Sequence, residues 1–235
     1  MEGSWNLRWS KERVFLHNST TEKKWTYELA EPPYCLHCGR SLVRGSFCWD
    51  DIRHQNLQFT DKTFQLGTYY PIAKVEELQP ETDILTQHIL GLKSDHEYAQ
   101  PIGEAMAMSM INNYREMLDA DLMIPIPSYD TNENHTNALC NVISEHIQKT
   151  MGKTIDVQTG ITKTTSTKLH MLPSGTAREE VINEMFVSND NMSVIGKNVI
   201  LVDDLLTRGD AKSKCTRIVK LKGATKIWVY VTAGT

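Results

Sequence analysis

The sequence predicts an α/β protein: a parallel sheet flanked by helices across residues 61–235, preceded by a β-hairpin at 1–30 and a cysteine-bearing module at 31–60. Three observations lead there. Continuous apolar runs at 122–127, 199–202 and 226–231 are what strands buried on both faces look like. Helical spacing at 136–151 and 211–222 falls between such runs, and strands alternating with helices build a parallel sheet. The first 60 residues lack that alternation and carry tryptophans, turn residues and three of the five cysteines.

In chain order, 5–9 and 24–27 are short alternating stretches joined by a polar run at 17–23, a pattern that reads as a hairpin with tryptophans on one face. Those rings serve either to cover the neighbouring domain or, as the sharper alternative, to stack on single-stranded nucleic acid. Residues 64–70 read as a strand. Residues 83–92 and 102–118 have helical spacing, with Ile84, Leu85, Ile89 and Leu92 on one face of the first. Met106, Met108, Met110 and Met117 are read as fillers of core gaps. A formal charge of −4 gives no global attraction to nucleic acid or to an anionic membrane. Met1–Trp5 has neither the basic stretch nor the apolar run of a secretion signal, and no window reaches roughly 18 apolar residues. A cytoplasmic protein with no membrane partner is expected.

Glu31-Pro32-Pro33 breaks the chain ahead of Cys35-x2-Cys38, with Cys48 following. Three thiols so spaced suit metal ligation better than a disulfide framework. A structural zinc site needs four ligands. Asp51 or His54 is left to supply the fourth, while His37 is a poorer candidate because the cysteines flanking it already diverge around the metal. Cys140 and Cys215 fall on helices and are read as small core residues.

The most informative segment is 199–211. Four apolar residues form a strand, and Asp203 and Asp204 follow at its carboxyl end. A short loop with Thr207, Arg208 and Gly209 then opens a helix at Asp210 and Ala211. Ligands of open α/β sheets bind at the carboxyl ends of strands. Free amides at a helix start suit a phosphate, and two carboxylates beside them suit sugar hydroxyls.

These thirteen positions resemble the signature of type I phosphoribosyltransferases, which bind 5-phosphoribosyl diphosphate (PRPP). The order from Cys35-Leu36-His37-Cys38 onward is similar to the ComF family, which pairs an N-terminal zinc module with a type I phosphoribosyltransferase domain. Further matching landmarks are 85–93, 121–127, Asn137 and 178–186. The resemblance implies that Asp203 and Asp204 hold ribose hydroxyls and that Thr207, Arg208, Gly209, Asp210 and Ala211 hold the 5-phosphate. It also implies a Mg²⁺ ion bound with PRPP, and transfer of the phosphoribosyl group to a nitrogen nucleophile.

The chain departs from that pattern in three places. The loop expected to grip pyrophosphate, 128–135, contains no Lys or Arg and two acids, Asp130 and Glu133; Lys163, Lys168, His170 and Arg178 are the residues left to compensate. Asp210 puts a negative charge at the phosphate loop unless it caps the helix, and Lys212 and Lys214 read as solvated helix lysines that offset it at most weakly. Asp51 stands where the family places its fourth cysteine. A catalytically impaired sensor of nucleotides, or a module for a protein partner, is therefore the competing reading.

Overall fold

The computed structural model describes residues 5–30, 35, 37–38, 48, 54, 58–70, 84–127, 135–165, 181, 184–207 and 209–234. The N-terminal part is an antiparallel sheet of three strands, β1 (Trp5–Trp9), β2 (Arg13–Asn18) and β3 (Lys24–Glu28), in the order β1-β2-β3. The two stretches expected to pair with each other each pair with β2 instead. That middle strand is hard to see in the sequence, because Val14, Phe15 and Leu16 form an unbroken apolar run although burial alternates, with Val14, Leu16 and Asn18 buried. The turn into β3 is held by Asn18, whose side-chain oxygen accepts from the amides of Thr20 and Thr21, both at 3.0 Å.

The main sheet has five strands, all parallel, in the order β4-β10-β9-β5-β6. They are β4 (Lys62–Thr68), β5 (Leu122–Pro125), β6 (Asp156–Val157), β9 (Asn198–Leu206) and β10 (Lys226–Gly234). A separate antiparallel pair, β7 (Ile161–Lys163) and β8 (Phe186–Ser188), lies between β6 and β9 in sequence. Four α-helices occur among the described residues: α1 (Ile84–Leu92), α2 (Ala99–Asn112), α3 (His135–Met151) and α4 (Asp210–Leu221). The helix expected across 102–118 starts earlier and stops at Asn112. There the Asn112 side chain donates to the Met108 carbonyl, and a 3-10 turn at Arg115–Asp119 takes over.

Period-two alternation along β9 and β10 divides the interior in two. Ile200, Val202, Trp228 and Tyr230 join a core with α1, α2, α3 and the N-terminal sheet. Val199, Leu201, Ile227, Val229 and Val231 join a second core with Cys215 and Val219 of α4, Phe186 of β8, and Cys38. Helices thus cover both faces, as continuous apolar strands require. Met106, Met110 and Met117 are fully buried in the first core, and Met108 is half-buried. Helices α2 and α3 touch closely: a Cβ on Gly103 would come within 2.7 Å of Val142. Cys140 and Cys215 are core residues as expected, and burial pushes both thiols up.

The N-terminal sheet shares the first core. Trp5 stacks on Trp25 with centroids 4.4 Å apart, and Trp25 packs edge-on to His88 of α1 at 4.2 Å. The buried Tyr27 hydroxyl and His88 Nδ1 are hydrogen-bonded at 2.9 Å; burial, with Lys23 nearby, lowers His88 to about 4, so the imidazole there is neutral. These aromatic rings cover the neighbouring helix, the structural role of the two considered. The chain is also fastened to β4, which among the described residues borders the sheet and pairs with β10. The Ala30 amide donates to the Leu66 carbonyl at 2.8 Å, and the Thr63 hydroxyl donates to the His37 carbonyl at 2.6 Å.

Candidate functional site

Strand order places a crevice. From β5 the chain crosses through α3 to β6, outward on one side; from β9 it crosses through α4 to β10, outward on the other. The direction reverses between β5 and β9, the switch point at which open α/β sheets bind ligands. The pairing of β5 with β9 ends where the Ile126 amide donates to the Val202 carbonyl. Among the described residues β9 continues unpaired on that side. Asp203 and Asp204 are its next two residues.

The strand reaches Leu206 rather than stopping at Val202, because β10 keeps pairing with it as far as Gly234. Adjacent residues of an extended strand point to opposite faces. Asp203 therefore turns to the α4 side and Asp204 to the α3 side, and each meets a cation from its own layer. Lys212 of α4 is only 4% exposed, and its ammonium donates both to Asp203 Oδ2 and to the Leu205 carbonyl. On the other face, His135 Nε2 and Lys93 Nζ each lie 3.3 Å from Asp204 Oδ2. Neither approach has hydrogen-bond geometry, and both His135 Nε2 and Asp204 Oδ2 are buried without a hydrogen-bond partner. The other oxygens point along the chain: Asp203 Oδ1 accepts from the Asp204 amide and Asp204 Oδ1 from the Leu205 amide.

The two acids titrate apart. Burial raises Asp203 to about 6, opposed by Lys212 and reinforced by Asp204. Burial pushes Asp204 upward too, but His135 and Lys93 together reverse that and hold it below the usual carboxylate range. Near neutral pH, Asp204 is a fixed anion, while Asp203 is paired with the Lys212 ammonium.

Gly209 lies just before α4 with φ of 85°, a left-handed conformation that glycine adopts without a Cβ penalty. It is itself the N-cap residue, so Asp210 is the first helical residue and not the cap. An acid there still favours the positive end of the helix dipole. Thr207 is exposed at the end of the strand, and Ala211 opens the first turn of α4. Arg208 lies outside the described residues, as do Lys168, His170, Arg178 and the loop 128–134. Lys163 closes β7 opposite Phe186 and is buried, which lowers its ammonium.

The expectation that Lys212 is a solvated helix lysine is overturned, because it is the buried counter-ion of Asp203. Lys93 and His135 also belong to the site. A signal for Lys212 was present: a residue two positions into a helix that follows a strand–turn stands over the end of that strand.

The second cluster is the metal module. The ligand atoms of Cys35, Cys38, Cys48 and His54 all lie within 4.8 Å of one another. Cys35 Sγ is 3.3 Å from His54 Nε2, and Cys38 Sγ is 3.6 Å from Cys48 Sγ. Zinc–sulfur bonds of about 2.3 Å in a tetrahedron put sulfurs about 3.8 Å apart, so this donor set fits zinc. His54 is the fourth member of the group; Asp51 lies outside the described residues. His37 stands beside the set, its Nε2 donating to the His54 carbonyl at 3.2 Å and its ring edge-on to that of His54.

No protein-family model and no curated protein matches this chain. Among solved structures, one described as the structure of the allosteric regulatory enzyme of purine biosynthesis is similar over 57% of this chain, at 18% identity and a TM-score of 0.38. The aligned part is 26% of that structure's own chain, and so partial an overlap carries no argument about activity. No helix among the described residues is long and apolar enough to cross a membrane.

Proposed function

We propose that this chain binds PRPP, or a nucleotide carrying ribose 5-phosphate, at the carboxyl end of β9, in the manner of the ComF-type phosphoribosyltransferases it resembles. The observation that carries this reading is the conjunction at the switch point: a buried acid pair where β5 ends, followed within six residues by a left-handed glycine that opens a helix. Asp204, anionic at neutral pH and with an oxygen that lacks a hydrogen-bond partner, accepts a ribose hydroxyl. Thr207 to Ala211, with the N-terminus of α4, receive the 5-phosphate.

In the enzymatic form of this reading, the C–N bond to a nitrogen acceptor forms as the C–O bond to diphosphate breaks. The positive charge that develops on the ribose resembles that of glycoside cleavage. Asp203 and Asp204 position the sugar and stabilise that charge. Mg²⁺, if bound together with PRPP, would supply charge that offsets the diphosphate. Lys163, Lys168 and Arg178 are further candidates for diphosphate contacts. Zinc at Cys35, Cys38, Cys48 and His54 is structural, since four protein ligands leave no open position.

One observation favours the second reading, a sensor that binds without turnover. Both acids already have a counter-ion within the chain, Lys212 for Asp203 and Lys93 for Asp204. Calorimetric titration of PRPP with Mg²⁺, using Asp204→Asn as the control, tests the shared premise. Saturable binding lost in the variant supports it, and no binding by wild type refutes both forms. Release of pyrophosphate in the presence of a panel of nitrogenous bases then separates enzyme from sensor.

A further inference from the structure

Ile195 and Leu221 are 83% and 76% exposed, well beyond the next large apolar residue described, Val187 at 44%. Both lie at the end of the molecule where β9 and β10 begin, opposite the acid pair. The Gly196 amide donates to the Gly223 carbonyl at 2.9 Å, and the Thr225 amide to the Lys197 carbonyl at 2.8 Å. The turn before β9 is thereby laid against the turn that ends α4, and Gly223, two residues after Leu221, has Ile195 as its neighbour. A Cβ on Gly196 would meet nothing within 4 Å, so this tip faces open space. Single exposed aliphatics are ordinary, but the two most exposed of the protein share one tip. Cations surround them. Lys197 follows Ile195 by two residues, Lys220 and Lys222 flank Leu221, and Arg217 precedes it by one turn on the same face of α4. Arg217, Lys220 and Lys222 are exposed, and Lys197 is half-buried. Neither 191–198 nor 211–227 contains an Asp or Glu, an excess that the overall charge of −4 conceals. Asp61 and Asp121, which border this end, are turned onto the backbone and accept from the Ile227 and Asn198 amides, both at 2.8 Å.

We propose that this tip docks the protein on an anionic membrane surface, with Ile195 and Leu221 entering the boundary between headgroups and acyl chains. Lys197, Arg217, Lys220 and Lys222 meet the lipid phosphates and carboxylates around them. The shape favours a lipid surface over a protein partner. The two aliphatics stand out on separate turns and line no groove, and a deformable layer takes such side chains without a matching pocket. Lysine and arginine stems lie along apolar matter while their charged heads reach the headgroups. Negative headgroups supply the charge that the tip itself lacks. Attachment is peripheral, in keeping with helices too short or too polar to span a bilayer among the described residues. β9 runs about 16 Å from Asn198 to Asp203, so a chain seated on this tip holds the carboxyl ends of its strands away from the lipid, open to ligands from water. The inference does not depend on the phosphoribosyl reading.

The test is sedimentation of the full chain with vesicles of phosphatidylcholine alone, or of phosphatidylcholine with about 30% phosphatidylserine. Wild type should bind the anionic vesicles and not the neutral ones, and salt at about 0.5 M should weaken that binding severalfold. Ile195→Ser with Leu221→Ser should weaken it by about 10- to 100-fold. Arg217→Glu with Lys222→Glu should weaken it by at least about tenfold. All four positions are half-exposed or more, so the melting temperature of each variant should match that of wild type, which separates loss of docking from loss of fold. Failure of wild type to bind anionic vesicles overturns the inference, as does equal binding to neutral ones. Retention on heparin provides the last arm. If the double serine variant binds vesicles and heparin as well as wild type does, the surface is a general polyanion site with no apolar anchor, and membrane docking is wrong.

Discussion

Replacing Lys212 with methionine keeps the length of the side chain and removes the charge, which isolates what the buried ion pair does. In the wild type, the ammonium serves Asp203 Oδ2 and the Leu205 carbonyl while only 4% exposed. Removing one partner of such a pair costs about 3–5 kcal/mol, since the other is left as a lone buried charge. For a chain of this size that corresponds to a fall in Tm of about 6–20 °C. The loss should depend on pH. Asp203 already sits at about 6 with Lys212 present, and burial without the lysine raises it further. A carboxyl whose folded-state pKa lies above the unfolded value holds its proton better in the folded state. Stability therefore declines as pH climbs from about 4 toward the folded value, by up to about 1.4 kcal/mol per pH unit. Urea unfolding of both proteins at pH 5.5 and 8 measures this: the gap should be wider at pH 8. Adding Asp203→Asn to the variant should recover much of the loss. A gap under about 1 kcal/mol, or one that does not change with pH, would show that Lys212 is not the counter-ion.

Ribose 5-phosphate affinity should rise as pH passes through about 6 and Asp203 ionises, while Asp204 stays ionised throughout. Subtracting the profile of Asp203→Asn removes the titration of the phosphate itself, and a flat difference would exclude Asp203 from binding. Purified protein should carry one zinc per chain by metal analysis, lost in Cys38→Ser and in His54→Ala; a wild type that takes up none under reducing conditions would rule out the module. Tyr27→Phe should destabilise by about 1–3 kcal/mol, because His88 Nδ1 loses its buried hydrogen-bond partner, and chemical denaturation reads it directly. Gly209→Ala should cost about 1–2 kcal/mol and weaken the phosphate ligand, since φ of 85° strains any residue with a Cβ; unaltered stability would contradict the left-handed turn.

The parallel sheet was legible in the sequence because its strands are buried on both faces, so 122–125, 199–202 and 226–231 stand out as apolar runs. β2 was not, because apolar Phe15 on the exposed face hides the period-two burial of Val14, Leu16 and Asn18. The acid pair and the glycine turn were visible as local chemistry. What surrounds them was not. Lys93 and His135 lie 111 and 69 residues upstream of Asp204, and only the layering of helices on each face assigns them to one carboxylate. The role of Lys212 followed in principle from strand alternation, but an isolated helix lysine gives no sign that it is desolvated. The choice of His54 came from folding the segment back on Cys35, which spacing alone leaves open.

The fastening of Ala30 and His37 to β4 has a consequence for anyone who would trim this protein. β4 has a partner strand on one side, and the segment carrying these two residues lies against it at Leu66 and Thr63. A fragment beginning near residue 61 would strip the Leu66 carbonyl and the Thr63 hydroxyl of these partners and uncover the border of the sheet, the kind of surface on which foreign strands accrete. The appendage thus shields a sheet edge, and a truncated protein is expected to aggregate more readily than the full chain.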